Sequence, residues 1–494
     1  MASLEVFIEG VEPALSVRRF HVRESISDLF TITIEACSPR PDIDLDDVIM
    51  RPASFSITAG WAFVLGGGSR SYTGLCESIE QIQAEPSGLS TYAVTIVPNL
   101  WPLTMRRTYR IYQHLAIPDI VARVLDEFGV EHQWLIDRAA HPKLDYKVQY
   151  GESNFIFLRR LCEEAGISFT FEPDEERGMV MVLSDAPASR QPRDSSLPYV
   201  DNPNESAERE YVTRVRKLRR AETGTVTLRD YDFRNPSLAL FAQAPGASPA
   251  ERRMEQERYE PGSFRAIVDA KTSTPVADSA GVARHDPSYG LARAEHLLIS
   301  TRSGARVVTF ETNAMDLAPG SVFSIAGHPH PALHNAAKLL VTELSMEGEH
   351  DKDWQIKGQA VSADTPYWPP QKTPKPIVHG LQSAIVTGPE GRRRELIGES
   401  LHLTIKGERR EAIKGSQSTI VGGDQNDVID GRYAIETGGA VHIVAGGPIV
   451  LEAPDITLKA GGGFVHIGGG GVEIDGGTVL IKQGGAPGIG EGSA

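Results

Sequence analysis

The chain reads as mainly β with a few helices, ending in an intertwined trimeric β-helix or prism of octad repeats. Three observations predict this. Glycine recurs at almost every eighth position near the C-terminus, at Gly407, Gly415, Gly423, Gly431, Gly439 and Gly447, then, after Asp455, at Gly463 and Gly471. A β-branched residue stands two positions before the early ones: Ile405, Ile413, Val421 and Ile429. The first hundred residues alternate apolar and polar between turn signals, the habit of half-buried strands.

From the N-terminus, Leu4, Val6 and Ile8 alternate as a first strand. Strands are expected at Phe30–Ile34, Ala53–Ile57, Trp61–Leu65 and Thr91–Val97, with Gly66–Ser69 as a hairpin loop, a barrel or sandwich pattern. Apolar residues at helical spacing over Ile117–Phe128, stopping before Gly129, predict a helix. A second helix is expected over Ser153–Ala165, capped by Ser153 or Asn154 and ended by Gly166. Ile167–Phe171 and Met179–Leu183 read as strands. Residues 185–205 and 240–262, rich in Pro, Ser, Ala and charge, read as surface loops. A second strand-rich region follows at Thr225–Tyr231, Val307–Thr312, Ser321–Ile325 and Leu339–Leu344, with a helix over Gly290–Ser300 among its strands. Trp368–Pro376 is proline-dense and therefore stiff and extended, a strap leading to the repeats.

The octad length decides how the repeats pair. Glycine takes φ > 0 without penalty, so a regular glycine marks a regular turn. Each octad then holds one strand of about five residues, roughly 17 Å long, plus a turn. Eight residues cannot supply the two or three strands of one turn of a single-chain β-helix. Several chains winding together can, and three suit a triangular section. Each unit buries its apolar face only against neighbours, so obligate oligomerisation follows. Ala440–Val444, Ile449–Leu451, Asp455–Leu458 and Thr478–Ile481 carry the strand-forming residues.

Composition narrows the function. The 494 residues make room for two to four domains, and a net charge of -15 argues against nucleic-acid binding. Arg392–Arg394 is the most conspicuous basic cluster and reads as a solvated junction. The N-terminus lacks the basic and apolar regions of a signal peptide, and no apolar run is long enough to span a membrane. Three cysteines, Cys37, Cys76 and Cys162, fit a reducing compartment and give no disulfide framework.

No catalytic, metal or cofactor residues are assigned. His328, His330 and His334 form the densest histidine group, but prolines and the lack of a carboxylate at a diagnostic offset make them loop residues. The G-x-S-x-G, H-E-x-x-H and Walker patterns are absent. Gly488–Gly492 superficially resembles a dinucleotide loop but lacks a following helix. Asp174–Glu176 and the Glu163–Glu164 pair read as solvated surface, and Glu152 is expected to cap or pair at a helix start. A phage-type trimeric β-helix tail spike that degrades polysaccharide or peptidoglycan is the alternative, and it would need a carboxylate-lined groove.

Several segments resemble VgrG, the spike protein family of bacterial type VI secretion, and its phage tail-hub relatives. Residues 148–167 carry Gln149, Tyr150, Glu152, Phe155, Phe157, Arg160, Leu161 and Gly166 of the family signature, with Asn154 where the family pattern has Asp. Arg110–Gln113 and Thr373–Pro376 with Gly380–Gly391 match two further motifs, and the octads resemble the family's prism. The resemblance departs after Gly391, where the family enters an OB-fold barrel. Here only residues 392–404 precede Ile405.

The resemblance implies a tail hub-like domain of two barrel-like lobes with helical insertions over 1–367, and a Pro-rich linker with an OB-fold remnant over 368–398. A triple-stranded β-helix spike over 399–484 and a tip over 485–494 complete the chain. It further implies a non-enzymatic homotrimer whose six lobes form a ring on a hexameric, Hcp-like tube protein. A PAAR-like tip protein would sit near Ile481–Gly485, with effector or adaptor proteins as cargo. Such a spike is cytoplasmic before firing, then secreted or injected, with no nucleic acid bound and no stable membrane insertion.

Overall fold

The computed structural model describes residues 3–58, 68–202, 209–232, 238–246, 253–269, 282–283, 285–333, 337–350, 354–380 and 405–478. The chain falls into two units, Met1–Ser383 and Ala384–Ala494. The first unit opens with β1 (Ser3–Ile8), β2 (Ser16–Ser25), β3 (Thr31–Ser38), β4 (Pro52–Thr58), β5 (Ser69–Gln83) and β6 (Ser90–Val97). Period-two patterning sets these strands: in β3, Ile32, Ile34 and Ala36 are fully buried while Glu35 points the other way. The strand expected at Trp61–Leu65 lies outside the described residues, and Ser69, expected in a hairpin loop, starts β5.

A helical part follows, made of β7 (Arg107–Leu115), α1 (Ile117–Glu127), β8 (His132–Leu135), β9 (Leu144–Ser153), α2 (Asn154–Ala165), β10 (Ser168–Asp174) and β11 (Gly178–Ser184). Ile120, Val121, Val124 and Leu125 of α1 share a core with Phe157 and Leu161 of α2. Next come β12 (Leu197–Pro198), β13 (Val212–Arg219), β14 (Thr225–Asp230), β15 (Leu240–Pro245), β16 (Glu255–Tyr259), β17 (Val268–Asp269), β18 (Val282–Ala283) and α3 (Pro287–Arg302). The stretch 240–262, expected as loop, supplies two strands here. Leu240, Ala242 and Ala244 alternate inward onto α3, a pattern that small alanines conceal in composition.

The unit ends with β19 (Arg306–Thr312), β20 (Val322–Ala326), β21 (Lys338–Glu349) and β22 (Gln355–Ser362). The strands of the expected lobes lie in a common sheet. They share one 12-stranded sheet in the order β1-β4-β5-β6-β3-β2-β21-β22-β19-β13, with β20 also on β21 and β12 on β20. The seam is the antiparallel pairing of Arg19–Ser25 with Glu349–Glu343. One core runs beneath both halves, joining Phe20, Ile34 and Phe55 to Phe310, Phe323 and Leu344. Each half nevertheless keeps its own identity: β4-β5-β6-β3-β2 and β20-β21-β22-β19-β13 have the same order.

In the second unit every residue from Ile405 to Asp455 is exposed, and none of them is in a strand. The chain bends at 406–407, 414–415, 422–423, 430–431, 438–439 and 446–447, a period of eight that coincides with the octad glycines. The expected strands at Ala440–Val444 and Ile449–Leu451 are not formed, and among the described residues no strand stands beside them. The last described octads pair with one another instead, as β23 (Ile456–Ala460), β24 (Gly463–Gly468) and β25 (Gly471–Gly476) in an antiparallel meander. Residues 479–481 lie outside the described set.

The reason for glycine differs from the expected one. Only Gly471 among the octad glycines has positive φ, at 116°. At Gly407, Gly415, Gly423, Gly431, Gly439 and Gly447 a Cβ would meet nothing within 4 Å, whereas at Gly463 it would lie 2.2 Å from the Asp475 carbonyl. Among the described residues no helix is long and apolar enough to cross a membrane.

Candidate functional site

The family signature and the strap, over two hundred positions apart in sequence, meet in one built site. Helix α2 starts at Ser153, whose hydroxyl accepts from the Ile156 N–H. It stops at Gly166, where φ is 72°. A side chain at Gly166 is excluded twice over, because a Cβ would lie 2.0 Å from the Trp368 ring of the strap. Phe155, Phe157 and Leu161 are buried in the helical core, and Phe157 stacks on Tyr112 with ring centroids 5.6 Å apart. Tyr150 meets Tyr109 edge-on at 5.2 Å.

The polar members fix the turn into α2. Gln149 is fully buried and donates to the Asn154 side chain at 2.8 Å and to the Glu152 carbonyl at 3.1 Å. Glu152 pairs with Arg160 in a buried, two-pronged contact, with Nε to Oε2 at 3.2 Å. Arg160 also donates to the Val148 carbonyl at 3.1 Å, tying helix to strand. Glu152 thus holds the helix start by pairing, one of the two roles expected of it.

Glu163 and Glu164 do not lie on solvated surface, as the sequence reading had them. Both are buried, at 4% and 6% exposure. Glu163 accepts the Lys372 and Thr373 amides at 3.0 and 2.9 Å and the Thr373 hydroxyl at 2.9 Å, pinning the strap to α2. Glu164 pairs with Lys147 of β9 and, at 3.2 Å, with Arg293 of α3. Arg293 reaches on to Glu260 at 3.0 Å, and Glu260 pairs with Lys375 of the strap. Burial opposes ionisation of Glu164 and Glu260, but the cations Lys147, Arg293 and Lys375 outweigh it for Glu164, and Arg293 and Lys375 do so for Glu260. Both carboxyls therefore titrate below their ordinary value. Burial pulls Lys147 down to about 8 against the pull of Glu164.

A cavity of about 360 Å³ lies along this network, walled by Arg160, Glu163, Glu164, Arg293, Thr373 and Lys375. Glu164, Arg293, Glu260 and Lys375 pair with one another along it, while Glu164 Oε2 and Arg293 Nε are buried without a hydrogen-bond partner, and no serine or cysteine lines it. Beside it, His141 approaches Asp185 at 3.5 Å in a smaller cavity that also contains His296 and Tyr289. Burial, Arg293 and His141 push His296 down to about 3, so it stays neutral. No metal-binding group of His, Cys, Asp and Glu occurs among the described residues. His328 and His330 accept backbone amides at 3.0 and 3.1 Å through Nδ1, as loop residues do, and His334 lies outside the described residues. The arrangement can hold a strap under load.

Sequence reasoning found the signature and the strap separately, without their union. The missed residues are Lys147, Arg293 and Glu260, single charges with no local pattern; Lys375 lies in the Thr373–Pro376 motif, but its pairing with Glu260 was not foreseen. It also missed a basic strand: β13 with Arg220 carries Arg214, Arg216, Lys217, Arg219 and Arg220 in nine residues. Arg392–Arg394 lies outside the described residues.

Known proteins place the chain. The model of the phage tail baseplate hub (GPD) family matches residues 23–352. The type VI secretion system spike protein VgrG1b of Pseudomonas aeruginosa is 29% identical over 390 residues, which cover 76% of this chain and 49% of the relative. VgrG5 of the same organism is 28% identical over 407 residues, covering 78% and 47%. The chain spans about half the length of the curated relatives it matches. Among solved structures, the E. coli c3393 protein superposes with a TM-score of 0.53 at 18% identity, covering 76% of this chain and 82% of that one. That protein is described as a component of the type VI secretion system, structurally similar to the T4 bacteriophage tail proteins gp27 and gp5. The match over residues 23–352, the shared fold and the signature built into α2 agree: the chain belongs to the phage tail baseplate hub family, and resembles the VgrG spike proteins of type VI secretion.

Proposed function

We propose that three copies of this chain form a non-catalytic puncturing spike at the tip of a contractile type VI secretion tube. The observation that carries this reading is the bare stretch from Ile405 to Asp455. It bends every eight residues and leaves apolar side chains such as Ile420, Val428 and Val444 more than nine-tenths exposed. Such a periodic apolar chain without a partner strand is a half-built interface. Two further copies would supply the missing strands and make a rigid prism.

On this reading residues 1–367 are the hub, 368–398 the linker, 399–484 the spike and 485–494 the tip. The hub sits on a hexameric, Hcp-like tube protein, and a PAAR-like protein caps the spike near Ile481–Gly485. Effector or adaptor proteins ride with it, from the cytoplasm into the target cell. The strap anchor transmits thrust from hub to spike, which is why its contacts are buried pairs and amides held by a carboxylate.

Light scattering on the purified chain tests the assembly. A mass near three times 53.7 kDa is expected. A monomer would sink the prism reading, and turnover of peptidoglycan or capsule by the pure protein would sink the non-catalytic one.

A further inference from the structure

Flat side chains and unmatched polar groups converge where α2, α3 and the strap meet. Tyr289, Arg293 and His296 stand at i, i+4 and i+7 of α3, on one face of the helix, and all three line the smaller cavity, whose volume is about 200 Å³. Trp368 of the strap lies over His296, with ring centroids 3.3 Å apart and planes inclined at 31°. Ile117 of α1, Pro142 and Leu144 make the wall largely apolar, and Glu164, His141 and Asp185 interrupt it.

The polar part of this wall is incomplete. Arg293 donates from Nη1 to the Glu164 carbonyl at 2.7 Å and from Nη2 to Glu260 at 3.0 Å, but its Nε is buried without a hydrogen-bond partner. Glu164 meets Lys147 and Arg293 through Oε1, and its Oε2 is buried and unpartnered. His141 Nε2 lies 3.5 Å from Asp185, too far for a good hydrogen bond, and it too is buried without a partner. Native interiors rarely leave such groups unmatched, and here a donor and an acceptor sit on two residues already joined as an ion pair.

The size and chemistry of the cavity narrow the occupant. One water needs about 10–15 Å³ and two to four polar partners, so the space would take many waters against a wall of mostly carbon. An apolar cavity of about 150 Å³ holds benzene, so one ring with a small polar group fits here. A charged occupant of either sign would lose its water and face a charge of its own kind, Arg293 or the Glu164 and Asp185 carboxylates.

We propose that this cavity binds a small, neutral, flat molecule bearing a carboxamide. A carboxamide presents an acceptor and a donor side by side: its oxygen accepts from Arg293 Nε, and its nitrogen donates to Glu164 Oε2. Its ring lies among Tyr289, His296 and Trp368, as ligand sites pair an apolar body with few polar anchors. The occupant therefore touches α2, α3 and the strap at once, and holds Trp368 down. The site belongs to a single hub, so it goes beyond the spike reading and stands whether the chain is a monomer or a trimer.

Calorimetric titration of the full chain with benzamide tests it. Sodium benzoate is the charged analogue, and acetophenone keeps the acceptor without the donor. Benzamide should bind at least tenfold more tightly than either, and protease cleavage within 368–376 should slow in its presence. Equal binding of the three, or none by benzamide, overturns the proposal. Ala140 and Ala186 form the exposed rim of the cavity, so Ala186→Trp should abolish benzamide binding while hub melting stays where it was. Binding that survives this substitution places the ligand elsewhere and overturns the site. Should the variant fold poorly, photolabelling of the unaltered chain with 4-azidobenzamide decides: label on peptides holding 140–144, 289–296 or 368 supports the site, and label confined to other peptides overturns it.

Discussion

The strap anchor and the octads treat the same problem, unsatisfied groups, in opposite ways. Around α2 the buried carboxylates meet cations or amides of the same chain. From Ile405 to Asp455 every residue is exposed and none is in a strand. The first region is finished by one polypeptide, so its stability is a property of the monomer. On the proposed reading the second is specified by one polypeptide and finished by others, so its stability would depend on assembly.

The largest effect should come from Glu164→Gln. It leaves Lys147 and Arg293 buried without their shared carboxylate, and breaking a buried pair from one side costs about 3–5 kcal/mol. Urea unfolding of the hub would show this loss. A change below about 1 kcal/mol would mean the network is far better hydrated than its burial implies.

Acid should act on the same network. Glu164 and Glu260 titrate below their ordinary value when folded. Carboxylates of this kind contribute stability that is fully present above the unfolded value of about 4.5 and lost as pH falls through the folded one. Hub stability should therefore be flat near neutrality on their account and decline below about pH 4.5. In Glu164→Gln the decline should be shallower. An unchanged slope would mean that other carboxylates govern acid unfolding.

Gly166→Ala comes next. It forces a side chain into φ of 72° and against Trp368, with backbone strain of about 1–3 kcal/mol. The strap should lift, and protease cleavage within 368–376 should speed up while the far half of the hub sheet stays intact. Equal cleavage in parent and variant would show that Glu163 alone holds the strap.

What the sequence revealed follows from range. The helix over Asn154–Ala165 was legible because its caps, Ser153 and Gly166, sit beside it in the chain. The octads were legible because a repeat is a local pattern. The burial of Glu163 and Glu164 was hidden, since their partners Thr373 and Arg293 are 210 and 129 positions away. The likeness of the two hub halves was hidden too, because it resides in the order of strands in the sheet.

Gly431→Val should have the smallest effect on one chain and is the sharpest test of the contrast. Gly431 does not adopt positive φ, and a Cβ there meets nothing within 4 Å. Within a single chain the substitution should therefore change stability by no more than about 0.5 kcal/mol. A Gly166-like penalty, visible in the hub transition, would contradict that. In the proposed trimer the same valine would occupy a position where the period of eight brings another copy close. Melting of the trimer should then fall while hub unfolding, followed separately, does not move. If neither moves, the octad glycines are spaced for a reason other than packing between chains, and the open stretch would have to find its partner in a different protein.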